Sequence, residues 1–282
     1  MPDATGLVTI KQVSTESGIA DLSAGRTRLR VTGDDRVTFL HGQCTNDVNR
    51  LWTGQSCYAA FLNAKGKMRG EGYVICLPDE FLLDASLGLQ ASLEKFIITE
   101  DVAIEDVSST LGDWLVVGAL PTLSMAAVKF PHPLGIGVIS AEPLTATLSN
   151  EDLEVMRVEA GVPRWGVDMD ENTIPNEAGL ESRAIDYNKG CYIGQETIAR
   201  INTYGHVNRR LVQLCVGGDR VPAHGERILA GEREVGHVTS AVHSRRLGKL
   251  LALGYVRREL ATAGTKLVIQ NQQSEVLKLC GE

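Results

Sequence analysis

Hydrophobic positions recur along this chain in two rhythms, and the change between them near residue 207 divides it. In the first part, short alternating runs are broken by a few stretches with helical spacing. "RLRVTG" (28–33) predicts a strand, and "DDRVTFLHGQ" (34–43), with Asp34 as a cap and Val37 and Leu40 on one face, predicts a short helix. Residues 56–77, "SCYAAFLNAKGKMRGEGYVICL", predict a hairpin that turns at Asn63–Gly66. "FLLDAS" predicts another strand, 86–98 an amphipathic helix, and "VAIEDV" and "DWLVVGAL" two more strands. Residues 119–150 hold Pro121, Pro131, Pro133 and Pro143 and predict loops and edge strands.

The best-marked helix is 149–163. Ser149 and Asp152 form a capping pair, Leu153, Met156 and Ala160 share a face, and Gly161 and Pro163 stop it. From 207 onward "RRLVQLCV", "ERILAG", "REVGHVTSAVHS", "LLALGYV" and "TKLVIQ" are short strands separated by glycines and charged turns, which predicts a small all-β domain. Strands and helices mix without regular βαβ alternation, so the class is α+β rather than doubly wound.

Composition narrows the function more than the fold. The net charge of −7 gives no general attraction to nucleic acid or to an anionic membrane. The first twelve residues lack a basic start followed by an apolar run, and no stretch of about 18 apolar residues is present, so neither a leader nor a membrane span is expected. Six cysteines (44, 57, 76, 191, 215 and 280) are scattered without a CxxC or a zinc spacing. This pattern fits a reducing compartment, and we expect a cytoplasmic protein without a permanent metal.

Two residues stand out chemically. Cys191 in "NKGCYIGQE" lies between glycines, two residues after Lys189 and just before a predicted helix at 193–202. Helix amides and a nearby cation both depress a thiol pKa, so Cys191 is a candidate nucleophile; the plainer alternative is a small core side chain at a tight turn. Glu159 occupies the last turn of its helix, where the macrodipole disfavours a carboxylate. It is either a ligand acceptor or half of a salt bridge with Arg157, Arg164 or Arg183. "HGQCTNDV" (41–48) reads as a helix end followed by a turn at Asn46–Asp47. The arginine doublets at 209–210, 245–246 and 257–258 would suit phosphate, a polyglutamate tail or RNA only if they cluster. No Walker loop and no GxGxxG after a strand is present.

"KGCYIGQE", "VEAGVPRWG" and "GLESRAIDYNKG" together make the chain resemble the YgfZ-type folate-binding proteins, relatives of the glycine cleavage T-protein (aminomethyltransferase). The resemblance covers nearly the whole length. It implies a ring of two interleaved α+β domains, roughly 1–110 and 111–206, with a C-terminal β-barrel over 207–282, around a central folate-binding hole. It also implies that Glu159 holds the pterin, with Arg157, Asn63 and Arg200 as further cofactor-binding candidates. A pterin edge presents two adjacent donors that one carboxylate accepts together.

Cys191 and Lys189 take the catalytic place, within a motif that includes Gly190, Tyr192, Gly194, Gln195 and Glu196. The partners implied are tetrahydrofolate and iron–sulfur proteins or their assembly factors, including the enzymes that modify tRNA; direct nucleic-acid binding and a membrane are not expected. One departure is visible. The transferases carry an aspartate pair where "NAKGKMRGEGYVI" has Gly70 and Glu71, so a one-carbon transferase would have to use Glu71.

Overall fold

The computed structural model describes residues 17–281; the leader reading of the first twelve residues lies outside them. Its first elements are β1 (Gly18–Asp21), β2 (Arg26–Thr32), α1 (Arg36–Gln43), β3 (Ser56–Leu62), β4 (Met68–Cys76) and β5 (Phe81–Ser86). Then come α2 (Leu89–Glu94), β6 (Ala103–Asp106), β7 (Gly112–Val117), β8 (Val128–His132) and β9 (Gly135–Ser140). Three helices follow, α3 (Asn150–Ala160), α4 (Glu181–Ala184) and α5 (Gln195–Tyr204). The last strands are β10 (Arg209–Val216), β11 (Arg227–Ala230), β12 (Arg233–Ser244), β13 (Lys249–Arg257), β14 (Lys266–Ile269) and β15 (Gln272–Leu279).

The strands make three antiparallel assemblies. One sheet runs β3-β4-β5-β2-β6, a second runs β1-β7-β9-β8, and β10-β13-β12-β11-β14-β15 close into a barrel. Strand β1 precedes the first sheet in the chain yet pairs with β7 of the second, Ile19 opposite Val116, so the two α+β units are threaded through each other. A shared core joins them: Tyr58, Leu62, Met68 and Tyr73 of the first sheet meet Phe130 and Ile139 of the second, with Leu180, Ala184 and Ile198 from the helical segment. A mixed α/β body with a closed six-stranded C-terminal barrel is the α+β, T-protein-like architecture expected above.

Local differences from the sequence reading have physical causes. Helix α1 is preceded by Asp35 rather than capped by Asp34; the Asp35 carboxylate instead accepts from the Asp101 amide at 2.9 Å. The helix expected over 86–98 shrinks to Leu89–Glu94, because Ser86 belongs to β5 and Gly88 adopts a left-handed turn before it. Strand β9 is interior rather than edge, paired on both sides. Its "GIGVIS" lacks a full apolar alternation because the ring of Phe130 fills the space at Gly137, where a Cβ would lie 2.2 Å from it. Helix α3 forms as read, with the Ser149–Asp152 capping box and Gly161 in the left-handed region.

Candidate functional site

Helix α1 ends in a turn whose carbonyls need donors, and Lys189 supplies them. Its ammonium donates to His41 O and Cys44 O at 2.6 Å and to Asn46 O at 2.9 Å. Neighbouring bonds repeat the join: Thr45 Oγ1 donates to Ala184 O at 2.6 Å, and Asn46 Nδ2 reaches Tyr58 O and Arg183 O. Burial lowers the Lys189 pKa, against the pull of the acidic groups around it. The residue expected to activate Cys191 is thus spent on holding its loop: its three protons go to three carbonyls.

Cys191 itself is exposed. The helix that follows begins at Gln195 rather than at 193, so the thiol lies a full turn ahead of the amides expected to lower its pKa. Gly194, with φ of 84°, sits against the β3–β4 turn; a Cβ there would be 2.6 Å from Asn63 O. Gly66 in turn faces Thr197, whose Cβ would be 2.6 Å from an added Cβ. The "NAKG" turn and the "GCYIGQE" loop interlock through these two glycines. Asn63 serves that turn, its Oδ1 accepting from the Lys65 and Lys67 amides. Tyr192 is buried in the shared core, and Glu196 and Arg200 form an exposed pair at 2.8 Å on α5.

A second polar cluster, missed in the sequence, lies between the two sheets. Arg26 Nη1 donates to Glu71 Oε1 at 2.8 Å and its Nε to Asp84 Oδ1 at 2.5 Å; Glu71 and Asp84 are buried. Asp113 is fully buried, and neither of its carboxylate oxygens accepts a hydrogen bond from a donor of fixed position. Burial first, then the charge of Asp84, pushes the Asp113 carboxyl well above the usual range, which favours its protonated form. Tyr58 and Tyr73 (centroids 5.0 Å apart), Phe130, His132 and Arg183, stacked 4.2 Å over Tyr58, line the same region. Burial, with help from Arg183 and Arg26, lowers His132 to about 3. The signal in the sequence was Asp84 in the middle of "FLLDAS", a carboxylate in an otherwise apolar strand.

Glu159 lies elsewhere. Its side chain is 3% exposed and accepts from Ser244 Oγ at 2.5 Å and from Arg246 Nη2 at 2.5 Å. The salt-bridge partner is therefore Arg246 of the β12–β13 turn, not Arg157, Arg164 or Arg183. Arg157 is buried and binds Glu154, Asp168 and Ser240, which fixes α3 to the barrel. Two concavities, of about 470 and 730 Å³, lie against the barrel, and neither includes Cys191, Glu71 or Glu159. The larger one is bounded by Glu177, Arg209, His237, Tyr255 and Arg257, with the Arg209 guanidinium 4.4 Å over the Tyr255 ring. Among the described residues no three His, Cys, Asp or Glu side chains gather in a metal-holding group, and no helix is long and apolar enough to cross a membrane.

This geometry has relatives. The glycine cleavage T-protein C-terminal barrel domain matches residues 209–278, and the GCVT N-terminal domain matches residues 8–128. The chain is 28% identical to the tRNA-modifying protein YgfZ of Yersinia enterocolitica, over 75% of this chain and 76% of that protein. It is 29% identical to an iron–sulfur cluster assembly factor IBA57 homolog, mitochondrial, of Mycosarcoma maydis, over 66% of this chain and 54% of that one. Matches to several aminomethyltransferases span only 31% to 36% of their length. The crystal structure of glycine cleavage system aminomethyltransferase T from Bartonella henselae superposes with a TM-score of 0.79 at 19% identity, covering 96% of this chain and 88% of that one.

Two substitutions test the site's energetics. Lys189→Met, which leaves three carbonyls without their donor, is expected to cost about 3 kcal/mol in a urea unfolding titration. Asp113→Asn should stabilise at neutral pH. The raised carboxyl of Asp113 contributes fully below its unfolded value and loses that contribution as pH rises. The advantage of the asparagine, measured by unfolding at stepped pH, should therefore shrink as pH falls toward about 4.

Proposed function

Because this chain belongs to the glycine cleavage T-protein superfamily, among its YgfZ-type members, we propose that it binds a tetrahydrofolate and supports assembly or repair of iron–sulfur clusters in other proteins, those of tRNA-modifying enzymes included. Cys191 is the residue through which it does so. The observation that carries this reading is an exchange of reactive groups on one scaffold. At the transferase aspartate positions, Gly70 has no room for a side chain, since a Cβ would stand 2.7 Å from Ser86 Oγ. Glu71 is buried and tied to Arg26. In contrast, Cys191 is exposed in a loop that Lys189 and Gly194 hold in place. The YgfZ relative, a tRNA-modifying protein, and the IBA57 relative, an iron–sulfur cluster assembly factor, support the same direction. Six free cysteines fit a reducing compartment such as the cytoplasm.

For folate the fit is specific in what it requires. Glu159 can accept the two pterin donors once Arg246 swings aside, because both of its oxygens are otherwise engaged. The concavity of about 730 Å³ beside the barrel does not include Glu159 and is a rival place for the ligand, with an aromatic and cationic wall in Tyr255 and Arg209 beside the carboxylates of Glu177, Glu234 and Glu259. A bound folate supplies a carrier for one-carbon units. The cluster is cargo: one thiolate meets a cluster held by a partner rather than housing its own.

Calorimetric titration of tetrahydrofolate separates these assignments. Wild type and Cys191→Ser should bind in the micromolar range, and Glu159→Ala should lose binding. Loss in Arg209→Ala with retention in Glu159→Ala would move the pterin to the barrel-side concavity, and no binding by wild type would end the folate reading. The second reading, one-carbon transfer with Glu71 in the aspartate role, predicts turnover of an aminomethyl or methylene donor that Glu71→Gln abolishes and Cys191→Ser spares. We expect no such turnover, since Glu71 is held by Arg26.

A further inference from the structure

Arg183 differs from the other guanidiniums of this chain. Among the described residues, every other buried or half-buried arginine donates a side-chain hydrogen bond or meets a carboxylate. Arg183 is half-buried and does neither; its guanidinium lies 4.2 Å over the Tyr58 ring. Five N–H donors taken partly out of water without acceptors are costly. The stack is nevertheless fixed from behind. Asn46 Nδ2 donates to Tyr58 O at 2.9 Å and to Arg183 O at 3.3 Å, so one amide holds the backbone of both stacked residues. Thr45 Oγ1 holds the next carbonyl, that of Ala184, at 2.6 Å.

The groups beside the stack are donors as well. The Tyr58 and Tyr73 rings lie 5.0 Å apart, and neither hydroxyl has a hydrogen-bond partner among the described residues or is sealed from solvent. Burial pushes both phenols up, so each keeps an O–H at neutral pH. The His132 ring is 6.2 Å from Tyr73. Its Nδ1 accepts from the Leu134 amide at 3.2 Å, and burial keeps the ring neutral, so its proton is on Nε2. Phe130, 4.6 Å from Tyr73, completes an aromatic wall. Arg183, Tyr58, Tyr73 and His132 together offer N–H and O–H groups that no carboxylate of the described chain takes up.

Charge decides which acceptor fits. Arg26 is shared by Glu71 and Asp84, which leaves a negative excess on that side of the cluster. A phosphate, with close to two negative charges at neutral pH, would be repelled by it. A carboxylate brings one charge and matches the planar fork of a guanidinium.

We propose that Arg183, with the hydroxyls of Tyr58 and Tyr73, binds the carboxylate of a small aromatic acid whose ring lies against the wall formed by Tyr73 and Phe130. None of these residues is a partner of Glu159, which binds Ser244 and Arg246. The site therefore goes beyond the folate and Cys191 readings and does not rest on them.

The test is a ligand-observed NMR titration of the full chain with benzoate, benzamide and phenyl phosphate, in wild type, Arg183→Gln, Tyr58→Phe and Glu159→Ala. Wild type should bind benzoate with a Kd of about 0.1–1 mM, in keeping with so small a ligand. Benzamide has the same shape without the charge, and it should bind about ten-fold more weakly, as should phenyl phosphate. Arg183→Gln should weaken benzoate about ten-fold. Tyr58→Phe keeps the ring under the guanidinium and removes one donor; it should weaken benzoate about three-fold, and it covers the case in which Arg183→Gln misfolds. No benzoate binding by wild type, a preference for phenyl phosphate, or unchanged binding in either variant would overturn the proposal. Glu159→Ala should bind benzoate as wild type does, so a failed tetrahydrofolate titration and a failed benzoate titration are separate results.

Discussion

The arrangement of this protein depends on one buried ammonium. Lys189 brings three donors to a turn that presents three inward carbonyls, and neither side could be buried without the other. The join is what makes residues 183–194 continuous with the end of α1, and through Thr45 and Asn46 it extends to β3 and α4. A lysine two residues from a cysteine suggests an electrostatic activator. Once its protons are shared among carbonyls, its main effect on the thiol is positional. Its charge bears instead on His41, whose protonation it opposes.

The second constraint is electrostatic and holds the two sheets together. Arg26 on β2 binds Glu71 of β4 and Asp84 of β5, and Asp113 approaches from β7 in the other sheet. Three ionised carboxyls around one guanidinium would leave two negative charges uncompensated in a dry interface, and burial with the charge of Asp84 raises the Asp113 carboxyl, which favours its protonated form. This cluster stands where a transferase would need a free carboxylate. A structural ion pair occupies that place, and Gly70 has no space for a side chain.

The loop that carries Cys191 is rigid in its frame and open at its centre. Gly194 and Gly66 admit backbone and side chains to within contact of each other, so the hairpin turn and the cysteine motif are packed as one unit, and the thiol faces solvent. An exposed thiol on a fixed loop suits exchange with a partner protein better than chemistry in a closed pocket. The engagement of Glu159 by Arg246 means that any ligand taken there must exchange with the β12–β13 turn of the barrel.

Much of the fold was legible in the chain. The hairpin at 56–77, the capped helix at 149–160 and the barrel strands follow from periodicity, caps and turn residues, which act over a few residues and are written locally. The motif around Cys191 was legible as well, as a set of residue types in fixed order. What sequence could not carry was direction and partnership. The return of β1 to the second sheet, the burial of Asp113 opposite Asp84, the choice of Arg246 for Glu159 and the turn of Lys189 away from its cysteine all join residues distant in the chain. Such pairs are selected by the packing of whole elements and by the cost of leaving a buried polar group unmatched, and those terms exist only once the chain has folded.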